Sequence, residues 1–86
     1  MKRLYEFADK HQNLPMLKYY VECFRSSIED DKDSDLARLF YSTLVGYLQC
    51  MSDAQTVCFD DGYEMRCHLT EVWVRESQRM EKGVRT

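Results

Sequence analysis

Thr56-Val57-Cys58-Phe59-Asp60-Asp61-Gly62-Tyr63-Glu64-Met65-Arg66-Cys67 is the stretch on which the expected fold class turns. Two short runs, Thr56–Phe59 and Tyr63–Cys67, flank Asp60-Asp61-Gly62. Three residues ending in glycine suit a type I turn followed by a left-handed glycine bulge. That register sets Phe59 opposite Tyr63 and Val57 opposite Met65, all on one face. The reading is a β-hairpin packed on helices, with Gly62 at positive φ.

Upstream of it the pattern is helical. Leu4, Phe7, Ala8 and His11 recur at helical spacing over residues 3–11. Asn13 suits an N-cap and Pro15 a first turn, so a second helix follows. Its apolar stripe is Leu14, Leu17, Tyr20 or Val21, Phe24 and Ile28, and it ends near Ile28 or Glu29. After the polar segment Glu29–Asp35, Asp33 or Ser34 can cap a third helix that closes at Ser52-Asp53. Its apolar residues, Leu36 to Met51, cover more than one face, which makes it the central helix. Gly46 in its middle costs up to about 1 kcal/mol against alanine, which suggests close packing by a neighbour.

Downstream, Leu69, Val72, Trp73, Glu76 and Met80 fit a helix beginning near Thr70. Val72-Trp73-Val74 equally suits a strand. The expected fold is therefore α+β: three N-terminal helices, a β-hairpin around Asp60–Gly62, then a C-terminal helix or extended strand. It forms one compact domain over residues 1–86, with 83–86 frayed. Leu17, Val21, Phe24, Phe40, Leu44, Leu48 and Trp73 are the expected core.

The residue inventory excludes more chemistry than it suggests. Charges at positions 2, 3, 6, 9 and 10 leave no room for a signal-peptide apolar region, and no apolar run approaches the ~18–20 residues of a membrane span. The expectation is a cytoplasmic protein with reduced thiols. Cys23, Cys50, Cys58 and Cys67 sit among apolar neighbours and read as buried small hydrophobes. Cys50, Cys58, Cys67 and His68 could make a zinc set. Their spacing, however, departs from the paired C-x₂₋₄-C of structural sites, so no metal or other cofactor is expected. The three glycines are isolated, which excludes a phosphate-cradling loop. His11 and His68 lie beside no patterned nucleophile, so no catalytic set is expected.

Charge is the feature that stands out. Residues 29–61 hold eight acids (Glu29, Asp30, Asp31, Asp33, Asp35, Asp53, Asp60, Asp61) against Lys32 and Arg38, a net of −6. The rest holds seven acids and ten bases. Direct nucleic-acid binding is not expected at a net charge of −3 and pI near 5.3. Glu29, Asp30, Asp31, Asp33 and Asp35, with Asp60 and Asp61 if the hairpin tip lies on the same side, form a candidate patch for a protein partner with a basic surface.

These features lead to an expected non-enzymatic protein-binding module. By analogy of class alone, small acidic proteins of this kind include phage- or plasmid-borne inhibitors of host nucleic-acid machinery, anti-CRISPR proteins among them. Such an inhibitor would block a basic groove on its target in the host-cell cytoplasm. An immunity protein or antitoxin covering a basic nuclease is the alternative. A small metal- or thiol-dependent protein using Cys50, Cys58 and Cys67 is the alternative from another class.

Overall fold

The computed structural model describes the backbone of residues 1–85 and the side chains of residues 1–80. Four helices make up these residues: α1 (Lys2–Lys10), α2 (Pro15–Glu29), α3 (Ser34–Asp53) and α4 (Phe59–Arg85). Among the described residues there is no strand, so the α+β expectation is overturned. α3 is central, with α2 and α4 packed on it, and α1 lies on α2 and the first half of α4. The bundle measures 45 × 19 × 19 Å.

The expected hairpin is the start of α4. Gly62 N–H donates to the Cys58 carbonyl at 2.9 Å, the first bond of a helix, and Gly62 does not have positive φ. Three forces favour this outcome. Gly62, Met65, Leu69 and Val72 are buried at helical spacing and form one continuous stripe against the core. Asp60 and Asp61 fall in the first turn, where carboxylates stabilise the exposed N–H groups. A lone two-stranded ribbon would leave its edges unpaired, whereas the helix bonds its own backbone. Val72-Trp73-Val74 continues the same helix, which settles helix over strand there.

Gly62 is needed for packing. A Cβ at this position would land on the Ser52 Oγ at the end of α3, closer than real Cβ atoms come. Gly46 is the reverse case. A Cβ there meets nothing within 4 Å, so the expected close neighbour is absent and this glycine faces open space.

The connections follow local rules. Leu14, not Asn13, is the N-terminal cap residue of α2, and Pro15 opens the helix. Leu14 N–H donates to the His11 carbonyl at 2.9 Å and its side chain is buried. Burial of Leu14 thus wins over the side-chain cap that Asn13 offered. Asp33 caps α3 as expected, accepting from the N–H groups of Asp35 and Leu36 at 3.1 Å each. α3 closes with a left-handed Gln55 at φ 60. There Gln55 N–H donates to the Ser52 carbonyl at 3.0 Å and Thr56 N–H to the Met51 carbonyl at 2.9 Å. That pair of bonds is the Schellman closure, here without its usual glycine.

Leu17, Val21, Phe24, Leu44 and Leu48 are buried as expected. Phe40 and Trp73 are only half-buried and pack on the edge of the core. Their places are taken by Leu4, Phe7, Ile28, Met65, Leu69 and Val72. The expected fraying of residues 83–86 falls where the side chains, and for Thr86 also the backbone, lie outside the described residues.

Candidate functional site

The acidic residues do not form one patch. Glu29, Asp30, Asp31, Asp33 and Asp35 cluster at the α2–α3 turn. Asp60 and Asp61 begin α4, beyond the other end of α3. A helix of 20 residues separates the two groups by roughly 30 Å at 1.5 Å per residue.

Most acids of the turn are engaged within the chain. Half-buried Arg25 bonds Glu29 at 2.9 Å, lies 3.6 Å from Asp30, and bonds Glu22 on its other side. Ser26 donates to Asp30 at 3.3 Å, Asp33 caps α3, and Asp35 pairs with Arg38 at 3.5 Å. Asp30, just past the C-terminus of α2, therefore belongs to the Arg25 network. That network also fastens α1. The Tyr5 hydroxyl donates to Glu22, and burial together with this bond pushes the Tyr5 hydroxyl up to about 12. Glu22 is held below the usual carboxylate range, first by Arg25 and then by Tyr5.

The expectation of buried thiols fails for all four. Cys23 is half-buried, and Cys50, Cys58 and Cys67 are exposed and unbridged. Cys50 lies two residues after buried Leu48, so helical geometry turns it to another side. Apolar neighbours in sequence are not neighbours on a helix face. Among the described residues no group of three or more His, Cys, Asp or Glu side chains could hold a metal ion. The Nδ1 of His11 bonds the Phe7 carbonyl at 3.0 Å, while the Nε2 of His68 is buried with no partner.

The least expected feature is on the first turns of α4. Phe59 and Tyr63 are exposed, at 62% and 57%. Their rings stack on each other, with centroids 6.3 Å apart and planes 13° apart. The Arg66 guanidinium lies 6.0 Å from both ring centroids and bonds Gln49 of α3. Two large rings have thus left the core to pack on each other. The pair opens onto a shallow groove of about 440 Å³ lined by Gln49, Tyr63, Arg66, Cys67 and Thr70. Beyond Thr70, whose Oγ1 bonds the Tyr41 hydroxyl at 2.9 Å, Trp73 stacks on Tyr41 with centroids 5.5 Å apart. Phe59, Tyr63, Arg66, Thr70 and Trp73 therefore make one stripe along α4.

The hairpin register hid this pair, because it placed both rings inward. The signal was in the spacing: Phe59, Tyr63 and Arg66 stand at i, i+4 and i+7, which on a helix is one face. Of the other aromatics suited to an interface, Tyr5 is tied to Glu22, Tyr41 and Trp73 stack half-buried, and Tyr19 is 58% exposed.

No family model, curated protein or solved structure matches this chain. No helix among the described residues is long and apolar enough to cross a membrane.

Proposed function

We propose that this chain is a non-enzymatic protein-binding module whose contact surface is the Phe59–Tyr63–Arg66 face of α4. The observation that carries the reading is the exposed, stacked ring pair. Solvating two large rings costs burial energy that an inward rotation of the helix would recover, and aromatic residues with arginine are the side chains that dominate interface centres. Asp60 and Asp61 lie in the first turn of α4 after Phe59, and Asp61 turns to the cleft against α1 rather than to the ring face. They favour a protein partner with basic groups at its rim and oppose phosphate, so the rings suit a protein recess better than stacked bases.

A second reading keeps the acidic α2–α3 turn as the contact, in an inhibitor that occupies a basic groove of nucleic-acid machinery. Five carboxylates within seven residues, Glu29 to Asp35, support it through long-range attraction even where each is locally paired. An immunity protein or antitoxin on a basic nuclease would use the same turn.

One experiment separates the two. Immobilised wild-type protein, a Phe59→Ala/Tyr63→Ala variant and an Asp30→Lys/Asp31→Lys variant are offered to a host lysate, and bound proteins are identified by mass spectrometry. Loss of the partner on the ring variant alone supports the α4 face. Loss on the charge-reversed variant alone, strongest at low salt, supports the acidic turn. A partner retained by both variants overturns both readings.

A further inference from the structure

We propose that the groove between α2 and the start of α3 receives an arginine side chain of a protein partner, its stem on Leu36 and Phe40 and its guanidinium on Asp31. This rests on, and deepens, the second reading above, in which the α2–α3 turn is a contact surface. The groove encloses about 290 Å³, and its lining includes Tyr19, Glu22, Cys23, Asp31, Leu36 and Phe40. Leu36 and Phe40 stand at i and i+4 on α3, and Cys23 faces them from α2. All three are only half-buried, so the bundle leaves part of this apolar floor uncovered. Tyr19, 58% exposed, forms a wall. Its ring meets Tyr20 edge-on at 5.8 Å, and Tyr20 meets Tyr47 of α3 at 5.5 Å, so the wall is braced across both helices.

The charge around this floor has one sign. Glu22 and Asp31 line the groove, and among the described residues no base does. Glu22 is tied to Arg25 and Tyr5, and it contributes field rather than a free acceptor. Arg25 gathers Glu22, Glu29 and Asp30, one cation among three carboxylates, so two negative charges stay in excess beside the groove. Asp31 differs from its neighbours. Glu29 and Asp30 have Arg25, Asp33 has the α3 cap and Asp35 has Arg38, while among the described residues the Asp31 carboxylate has no partner.

An apolar floor, aromatic rings and an unpaired carboxylate together match one type of side chain. A long cationic residue lays its methylene stem on apolar surface and keeps its charge at the edge. Arginine suits the site better than lysine. Its guanidinium stacks on aromatic faces, carries a weaker hydration shell and offers a fork of donors to a carboxylate. Phosphate is opposed by the same carboxylates, which directs the groove to a protein rather than a nucleic acid. The site is distinct from the Phe59–Tyr63 face of α4.

Titration of the isotope-labelled chain with hexa-arginine, followed by nuclear magnetic resonance, tests the groove, with hexa-lysine of equal charge as the control. The backbone amides of Cys23, Leu36 and Phe40 should shift, and hexa-arginine should bind more tightly than hexa-lysine. Tyr19→Ala should weaken hexa-arginine by about two- to fivefold, the range of a cation–π contact at an exposed site. Asp31→Asn should weaken it by a similar factor of about two to five. Asp35→Asn removes the same charge from the same turn but outside the groove, and should weaken it less. Tyr19, Asp31 and Asp35 are all exposed, so these variants keep the fold. Equal losses in Asp31→Asn and Asp35→Asn, with Tyr19→Ala silent and both peptides bound alike, overturn the groove and leave the turn as a plain charged contact. Shifts confined to other faces, or no shift at all, overturn the groove and the turn together.

Discussion

Two glycines inside helices should respond in opposite ways to the same substitution. Alanine is favoured over glycine in a helix interior by about 0.8–1 kcal/mol. At Gly46 a new Cβ meets nothing within 4 Å, so Gly46→Ala should gain nearly all of that. For a domain of this size the gain corresponds to roughly 4–8 °C in Tm. At Gly62 the same Cβ lands on the buried Ser52 Oγ, and relieving it requires the hydroxyl to turn or α4 to shift. Overpacking of this kind costs about 1–3 kcal/mol, so Gly62→Ala should be neutral to about 2 kcal/mol destabilising. Ser52→Ala removes the obstructing oxygen, which has no hydrogen-bond partner to lose. The nearest remaining atoms, Ser52 Cβ and Val57 Cγ1, stand at 3.7 Å, ordinary contact. Gly62→Ala in the Ser52→Ala background should therefore stabilise by up to about 1 kcal/mol, a coupling on the order of 1–3 kcal/mol. Urea and thermal unfolding of the four variants, followed by circular dichroism, measure each term. The packing argument is refuted if Gly62→Ala alone stabilises as much as Gly46→Ala, or if the double variant shows no coupling.

Three further outcomes are expected. Asp33→Ala should cost about 0.5–2 kcal/mol in urea unfolding through loss of the α3 cap, and Asp33→Asn much less. Gln55→Gly should stabilise by up to about 1 kcal/mol, because glycine adopts the left-handed closure of α3 without strain, while Gln55→Ala should give no such gain. In an ultraviolet titration one tyrosine should ionise only near about 12, and Tyr5→Phe should remove that late step.

The three N-terminal helices were legible because one signal dominated in each, although the fold class was not. The stripe Leu17, Val21, Phe24 and Ile28 gives α2 and its buried face, and Asp33 gives the start of α3. Legibility failed where a residue supports two chemistries. Asp-Asp-Gly is good turn chemistry and also a good first helical turn, and the choice rests on partners distant in sequence. Ser52 explains why residue 62 must lack a side chain, and nothing in the local sequence points to Ser52. The thiols failed for a related reason, since Cys50 has apolar neighbours along the chain, Leu48 and Met51, but turns to another side of the helix. Within the site, the five acids of the α2–α3 turn were visible as charge. Their engagement by Arg25, Ser26 and Arg38 was not, because pairing depends on where side chains reach.

The start of α4 links fold and function in a single choice. In a hairpin, Phe59 and Tyr63 would have been cross-strand partners against the helices. In a helix, Gly62, Met65 and Leu69 take the inward face, and the i, i+4 spacing carries both rings outward together. The same change reassigns Asp60 and Asp61 from a turn to a helix N-terminus, where local stability accounts for their charge. Much of the acidic excess is then explained without a partner: two residues by the α4 start, two by Arg25, one by the α3 cap. The exposed rings have no such internal account. Arg66 and Gln49 hold them in place, which lowers the entropy lost when a partner closes over them. Preorganised aromatic area is thus the stronger argument for a binding surface in this chain, and net charge the weaker. A partner found on this face should accordingly lose affinity to ring truncation far more than to added salt.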